Sequence, residues 1–249
     1  MGLVVCYGEL RVLLTDNCQC MDLVILDIDG TLTDTEHVDD HSIVGALEDV
    51  LGVQDLSTDW STYRTSTDAG IVAEVIERVQ GVVDAAVVEA VTRRFYAILE
   101  DHYTSSPDLF APLEGARDVL QTLQRMGYDV AIATGCWRES ALFKLRVAGI
   151  EHISIPMATA DDSPNRTAIV ARAIELARRW NDVQAYDRIW YVGDGVWDVQ
   201  ASLELGLAFI GVAGETKAER LRTAGATLVV EHPADVPGLF SPRPVRQTV

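Results

Sequence analysis

Short apolar runs alternate along most of the chain with longer segments in which apolar residues recur every three or four positions. The short runs are typical of strands buried on both faces, and the periodic segments are typical of amphipathic helices. The predicted strands cover residues 23–26, 128–133, 153–157, 188–192, 207–212 and 227–230. The helices predicted between them cover residues 113–126, 140–147, 165–180, 197–205 and 217–222. This alternation predicts an α/β fold with a doubly wound parallel sheet.

The region from residue 36 to residue 110 differs, because its apolar stripes are helical throughout. Helices are predicted there at residues 42–51, 71–79 and 85–99, which indicates an all-helical insertion. The core of the protein then comprises residues 21–35 and 111–232.

The two ends of the chain do not fit this alternation. Residues 1–20 are either a loose extension or an additional edge strand. Residues 233–249 contain four prolines and no periodicity, so we expect a loose tail.

Two acidic residues follow the first predicted strand directly. Asp27 and Asp29 are separated by one residue, and Gly30 then allows a sharp turn. The carboxyl ends of strands are where open α/β sheets bind ligands. Because neighbouring carboxylates repel each other, the pair needs a cation or a shared proton.

Further candidate residues follow later strands. Thr134 and Gly135 come after the second core strand, and a hydroxyl with backbone N–H groups can hold a phosphoryl oxygen. Asp194 and Asp198 follow the strand at residues 188–192 and lie four positions apart, so both can face one cation. Hard oxygen ligands of this kind suit Mg²⁺, although Asp198 could instead be an exposed acid at a helix start.

The segments DIDGT, TG and GDGVWD, in this order, resemble the motifs of the haloacid dehalogenase-like phosphohydrolase superfamily. The resemblance implies a Rossmann-like core, and it implies that residues 36–110 are the helical segment, here called the cap, that closes over the site. It further implies that Asp27 is the nucleophile, that Asp29 is the general acid/base, and that Thr134 and Gly135 hold the phosphoryl group. The ligands implied for Mg²⁺ are Asp27, the main-chain carbonyl of Asp29, Asp194 and Asp198.

The third motif of this superfamily normally supplies a lysine at a helix start. The chain has two lysines, Lys144 and Lys217, and neither stands in that place. Arg166 is the candidate that would keep the positive charge there, with a planar fork instead of a point charge. The alternative is that Arg166 is a solvated residue of the first helical turn.

The substrate is less constrained by the sequence. Thr67 and Asp68 lie in a small polar segment of the cap and could contact the substrate, or one of them could cap the following helix. Arg138 follows the second motif and could line the pocket or carry a surface charge.

The resemblance favours Mg²⁺-dependent hydrolysis of a small phosphorylated metabolite through an aspartyl-phosphate, because dehalogenases lack an acid at the position of Asp29. The alternatives are a phosphomutase of the beta-phosphoglucomutase type and a non-catalytic protein that binds a phosphometabolite or a partner.

Composition excludes several other classes of protein. A formal net charge of −18 disfavours nucleic acid and anionic membranes as partners, and no apolar run is long enough to span a bilayer. Cys18 and Cys20 have the wrong spacing for a zinc or redox site, so free thiols and a cytoplasmic location are expected. The sequence leaves the oligomeric state open.

Overall fold

The computed structural model describes residues 21–152 and 155–243, and these residues form a six-stranded parallel sheet with helices on both faces. The strand order is β3-β2-β1-β4-β5-β6, which places β1 next to the centre. The strands are β1 (Asp22–Leu26), β2 (Asp129–Ala133), β3 (Met157–Ala158), β4 (Arg188–Gly193), β5 (Ala208–Val212) and β6 (Val229–Val230). This topology confirms the α/β doubly wound fold.

The helices of the core cover the sheet because each presents an apolar stripe to it. They are α4 (Ala116–Arg125), α5 (Arg138–Val147), α6 (Arg166–Asn181), α7 (Val196–Leu205) and α8 (Glu215–Ala224). One face of the sheet packs on α4 and α5 through Val24, Leu120 and Leu145, all without solvent exposure. The other face packs on α6 through Leu23, Ile25 and Ile169.

The cap is helical, as the sequence predicts. It contains α1 (Glu36–Leu51), α2 (Asp68–Gln80) and α3 (Ala85–Ser105), with short 3₁₀ helices at Trp60–Thr62 and Pro107–Phe110. Val72, Ile76 and Phe95 are fully buried in an apolar cluster of its own. Trp137 of the core packs into that cluster and so joins the cap to the sheet domain.

Several predicted boundaries differ from the structure, among them the start of α1 and the extent of β3. Helix α1 begins six positions before the predicted start at residue 42, because its polar first turns carry only Val38 as a buried apolar residue. Strand β3 was predicted at residues 153–157, but it consists of Met157–Ala158. It pairs only with Ile132 and Ala133 of β2, and residues 153 and 154 lie outside the described part of the chain.

The prediction of a loose tail from residue 233 was wrong for residues 233–243. They contain a 3₁₀ helix, Pro233–Leu239, and Val236 within it is fully buried. The ring of Phe240 lies 4.9 Å from that of Tyr128, and Arg243 Nη2 lies 2.7 Å from Asp22 Oδ2. These anchors are isolated apolar and charged residues, which leave no periodic signal. The predictions for residues 1–20 and 244–249 fall outside the described residues.

Helices long and apolar enough to cross a membrane do not occur among the described residues.

Candidate functional site

The candidate site is a cavity of about 440 Å³ between the carboxyl end of the sheet and the cap. Core residues that line it include Asp27, Asp29, Thr134, Gly135, Arg166 and Asp194. The structure therefore brings the motif residues from four separate segments to one place. A cavity of this size is in the range that small-molecule ligands occupy.

A tight loop places Asp27 and Asp29 at the end of β1. The backbone N–H of Asp27 donates to Val192 of β4, and the N–H groups of Leu32 and Thr33 both donate to the carbonyl of Ile28. Gly30 has a φ of 69°, and a Cβ there would lie 2.0 Å from Asp194 Oδ2. The glycine is needed both for the backbone conformation and for this close approach.

Three carboxylates form a compact group that could hold a cation. Oxygen atoms of Asp27, Asp194 and Asp198 all lie within 4.8 Å of one another, and the three residues are buried. Asp198 is held by Tyr191, whose hydroxyl donates to Oδ1 at 2.8 Å, and by the N–H of Gly195, which donates to Oδ2 at 3.0 Å. The alternative that Asp198 is an exposed acid is thus excluded, since its exposure is 0%.

Burial raises the pKa values of two of these acids. Burial raises the pKa of Asp27 to about 7, although Arg166 opposes the shift, and Asp198 and Asp29 add to it. Burial also raises the pKa of Asp194 well above its usual value, against the opposing charge of Lys217. A divalent ion bound by these carboxylates would compete with protons for them. Buried carboxylate oxygens are the donors that Mg²⁺ prefers, so the residues fit this ion.

Arg166 supplies a positive charge beside the candidate nucleophile. It is the first residue of α6, whose start is fixed by Asn165, because the Asn165 side chain accepts a hydrogen bond from Ala168 N at 3.0 Å. Arg166 Nη1 donates to Asp27 Oδ1 at 3.1 Å and lies 3.6 Å from Asp198 Oδ1. Its side chain is buried, so it is not the solvated first-turn residue of the alternative interpretation.

Two buried N–H donors at the cavity have no hydrogen-bond partner within the described part of the chain. They are Arg166 Nε and Trp197 Nε1, and both residues line the cavity. A buried donor without a partner costs free energy, so a ligand that brings acceptor oxygens would stabilise this arrangement.

Thr134 and Gly135 also lie at the cavity, at the end of β2. Thr134 is almost fully buried, and its hydroxyl accepts a hydrogen bond from Cys136 N at 3.3 Å. A Cβ on Gly135 would lie 2.4 Å from Arg166 Nη2, so a side chain there would displace the guanidinium.

Only one of the three substrate-contact candidates outside the core motifs lines the cavity. Asp68 does so, and its Oδ2 accepts a hydrogen bond from Trp137 N at 2.9 Å, which ties the cap to the core. Thr67 caps α2 by accepting a hydrogen bond from Gly70 N, in agreement with the helix-cap alternative. Arg138 pairs with Asp162 at 3.0 Å and is partly exposed; neither it nor Thr67 is among the cavity-lining residues.

Both lysines of the chain contact acidic residues of the cavity, which the sequence analysis missed. Lys217 on α8 pairs with Asp194 and donates to Glu36 Oε1 at 2.7 Å. Lys144 on α5 is fully buried, with Nζ 2.8 Å from Asp29 Oδ1. A signal for Lys144 existed, because it interrupts an apolar stripe that includes Ala141. No comparable signal marks Lys217, which is brought to the site by tertiary structure.

Comparisons with known proteins identify the fold independently. A family model described as haloacid dehalogenase-like hydrolase matches residues 21–206. A search of curated proteins found no match.

Several solved structures superpose over most of the chain. A hydrolase from Pseudomonas syringae has 21% identity and a TM-score of 0.67, with 88% of this chain and 97% of that chain covered. A candidate beta-phosphoglucomutase from Bacteroides vulgatus has 18% identity and a TM-score of 0.65, with 93% and 91% covered. A predicted phosphoglycolate phosphatase from Haemophilus somnus 129pt has 18% identity and a TM-score of 0.62, with 90% and 99% covered. At such identities these structures show the fold alone. Because the family model covers most of the chain, the protein belongs to the haloacid dehalogenase-like hydrolases.

Proposed function

We propose that this protein is a phosphatase that hydrolyses a small phosphorylated metabolite through an aspartyl-phosphate on Asp27, with Mg²⁺ as the cofactor. The observation that carries the proposal is the contact of the buried Asp27 with Arg166, beside two further buried carboxylates, Asp194 and Asp198. Phosphoryl transfer requires this combination, because the nucleophile is itself an anion and the transferred group carries further negative charge. The cytoplasmic location stays a prediction.

Asp27 acts as the nucleophile in the first step. One of its carboxylate oxygens bonds to phosphorus while the bond from phosphorus to the leaving oxygen breaks. Arg166 and the Thr134–Gly135 segment hold the phosphoryl oxygens. Asp29, which takes up a proton from solvent before this step, donates it to the leaving alkoxide.

Hydrolysis of the intermediate regenerates the protein. A water oxygen bonds to phosphorus, its proton passes to Asp29, and the bond from phosphorus to the Asp27 oxygen breaks. Inorganic phosphate leaves, and Asp27 is again a free carboxylate. When bound by Asp27, the Asp29 carbonyl, Asp194 and Asp198, Mg²⁺ would neutralise charge on the phosphoryl oxygens.

The same proposal assigns residues 21–35 and 111–232 to the catalytic core and residues 36–110 to the cap. The cap contributes Asp68, Asp40 and Trp60 to the cavity, opposite the core residues. A lining of this kind excludes water from most of the reacting group and contacts the leaving group of the ester.

Phosphate release from a panel of phosphate esters, with and without Mg²⁺, tests the proposal. We expect Mg²⁺-dependent turnover in the wild-type protein and none in Asp27→Asn. Turnover that requires a sugar bisphosphate activator would favour the phosphomutase instead. Binding of an ester without any turnover would favour the non-catalytic alternative.

A further inference from the structure

Lys144 is a fully buried cation that contacts Asp29, one of the residues lining the candidate site. It lies on α5 with 0% exposure, and its Nζ is 2.8 Å from Asp29 Oδ1 and 3.3 Å from Cys136 Sγ. The ammonium also pairs with Asp39 of α1, so it joins a core carboxylate to a cap carboxylate.

Asp29 is held by donors on both of its carboxylate oxygens. Oδ1 accepts from the Thr35 hydroxyl and pairs with Lys144, and Oδ2 accepts from Cys136 Sγ at 2.6 Å. Thr35 and Cys136 have short side chains. The backbone of Thr35 is fixed by the loop after β1, and that of Cys136 by the end of β2. Lys144 is the one ionic partner among these three donors.

A purely structural role does not account for a lysine at this position. Its neighbours on the same helix face, Ala141, Leu145 and Ala148, are buried in the apolar core. Burying an ammonium carries a large desolvation cost, and a well-packed apolar side chain is often as stabilising as a buried ion pair. An apolar residue at position 144 would therefore satisfy the packing of the core. The lysine instead matches the charges of the Asp29 and Asp39 carboxylates.

We propose that Lys144 is a positioning residue for the acid/base step: it fixes the carboxylate of Asp29 and links it to Asp39 on the first helix of the cap. The inference rests on the proposed function, because it assigns Lys144 to the group that protonates the leaving oxygen. Loss of Lys144 would leave Asp29 with two weaker donors and a wider range of orientations. Misplacement of a catalytic group by about 1 Å can reduce rates by about 10²-fold.

The leaving group of the substrate provides the test. 4-Nitrophenyl phosphate has a stable leaving anion that needs little protonation, whereas an alkyl phosphate needs a proton from Asp29. In Lys144→Met we expect kcat/KM for the alkyl ester, which reports the step that expels the leaving group, to fall by about 10²-fold. With 4-nitrophenyl phosphate we expect kcat/KM to fall by less than about threefold, because its leaving anion hardly needs the acid.

Three further variants separate positioning from folding. Arg146→Met removes a charge from the exposed side of the same helix and should leave both activities unchanged. Lys144→Arg retains the charge and should recover part of the alkyl-ester activity. If Lys144→Met does not fold by circular dichroism, Lys144→Met with Asp39→Asn removes the unpaired cap carboxylate and should show the same selective loss.

Equal loss of kcat/KM with both esters, or no loss with either, would overturn the inference. Asp29→Asn distinguishes that failure from failure of the proposed function. If Asp29→Asn loses alkyl-ester activity selectively and the Lys144 variants do not, only the role of Lys144 is wrong. If the wild-type protein hydrolyses no ester of the panel in Mg²⁺, the proposed function fails, and the inference fails with it.

Discussion

The guanidinium of Arg166 donates to the carboxylate of Asp27 at 3.1 Å, although 139 positions separate the two residues. The contact joins the end of β1 to the start of α6. It places a fixed positive charge beside the proposed nucleophile, where it can hold a phosphoryl oxygen in line for attack. The assignment of this arginine to the role of the third-motif lysine stays a prediction.

Replacement of Arg166 should reduce turnover more than stability in the presence of Mg²⁺. We expect Arg166→Ala to lower kcat by about 10²-fold or more, because a buried donor to the transferred group is lost. Arg166→Lys should lose less, since it retains the charge without the planar fork. Steady-state kinetics and thermal unfolding measure the two effects.

Arg172→Ala, on the more exposed part of the same helix, is the matched control and should retain full activity. Unchanged turnover in Arg166→Ala would exclude Arg166 from the reaction.

Gly30 should be far less tolerant of alanine than Gly52, although their φ values are 69° and 68°. Alanine at Gly52 meets no atom within 4 Å, so only the left-handed backbone is penalised, at about 1 kcal/mol. At Gly30 the added Cβ would also clash with the carboxylate of Asp194. We therefore expect the free energy of unfolding to fall by about 3 kcal/mol. Urea unfolding of both variants measures the difference.

Gly30→Ala should also lose the stabilisation that Mg²⁺ gives the wild-type protein, because Asp194 must move. Equal stability losses in the two variants would show that the contact between residues 30 and 194 is absent in solution.

The stability of the protein should depend on the carboxyl of Asp68. Burial raises the pKa of Asp68 to about 7, although Lys144 opposes the shift. Between about pH 4 and pH 7 the folded protein therefore binds a proton that the unfolded chain does not, and stability falls as pH rises through this window. Asp68→Asn should remove this contribution and should gain stability relative to the wild type from pH 4 to pH 8.

Urea unfolding at several pH values tests this prediction. The asparagine can still accept the hydrogen bond from Trp137 N, so the contact between cap and core is retained. The exposed Asp101→Asn serves as the control and should follow the wild-type profile. A wild-type profile in Asp68→Asn would mean that Asp68 ionises normally.

Binding of Mg²⁺ should strengthen as pH rises. Because burial raises the pKa of Asp27 to about 7 despite Arg166, a proton competes with the ion below that pH. We expect the apparent affinity to increase about tenfold between pH 6 and pH 8, since the ion binds the deprotonated carboxylate. Thermal unfolding over a range of Mg²⁺ concentrations at both pH values measures this change.

Asp27→Asn should bind the ion more weakly and with a smaller pH dependence, since only Asp194 then contributes a raised pKa. Removal of the ion by a chelator should abolish turnover in the wild-type protein. Turnover that persists without any divalent ion would contradict the assignment of the acidic group.

Local sequence patterns were sufficient to predict the fold. They also predicted the part of the site that lies directly at the carboxyl ends of the strands. The strands leading to Asp27 and Asp194 are apolar runs, and their carboxyl ends meet because parallel strands share one edge. The approach of Arg166 to Asp27 was inferred from motif order, and the structure places the two side chains in contact. The roles of these residues in catalysis stay predictions.

Features that depend on tertiary contacts could not be predicted in the same way. Lys144 lies on a helix that carries no motif, and its partner Asp39 comes from the cap, 105 positions away by their numbers. Val236 is buried in the cluster that contains Val119 and Leu120 of α4, although its segment has no periodicity. Arg138 follows a motif residue closely, yet the first turn of α5 directs it to Asp162.

The central claim is that Asp27 becomes covalently phosphorylated, and one measurement tests it most directly. The wild-type protein is mixed with a phosphate ester and Mg²⁺, quenched in acid within the first turnover and digested for mass spectrometry. We predict the mass of one phosphoryl group on the peptide that contains Asp27, and no such mass in Asp27→Asn. Full turnover in Asp27→Asn, or a phosphoryl group on a different peptide, would contradict the account.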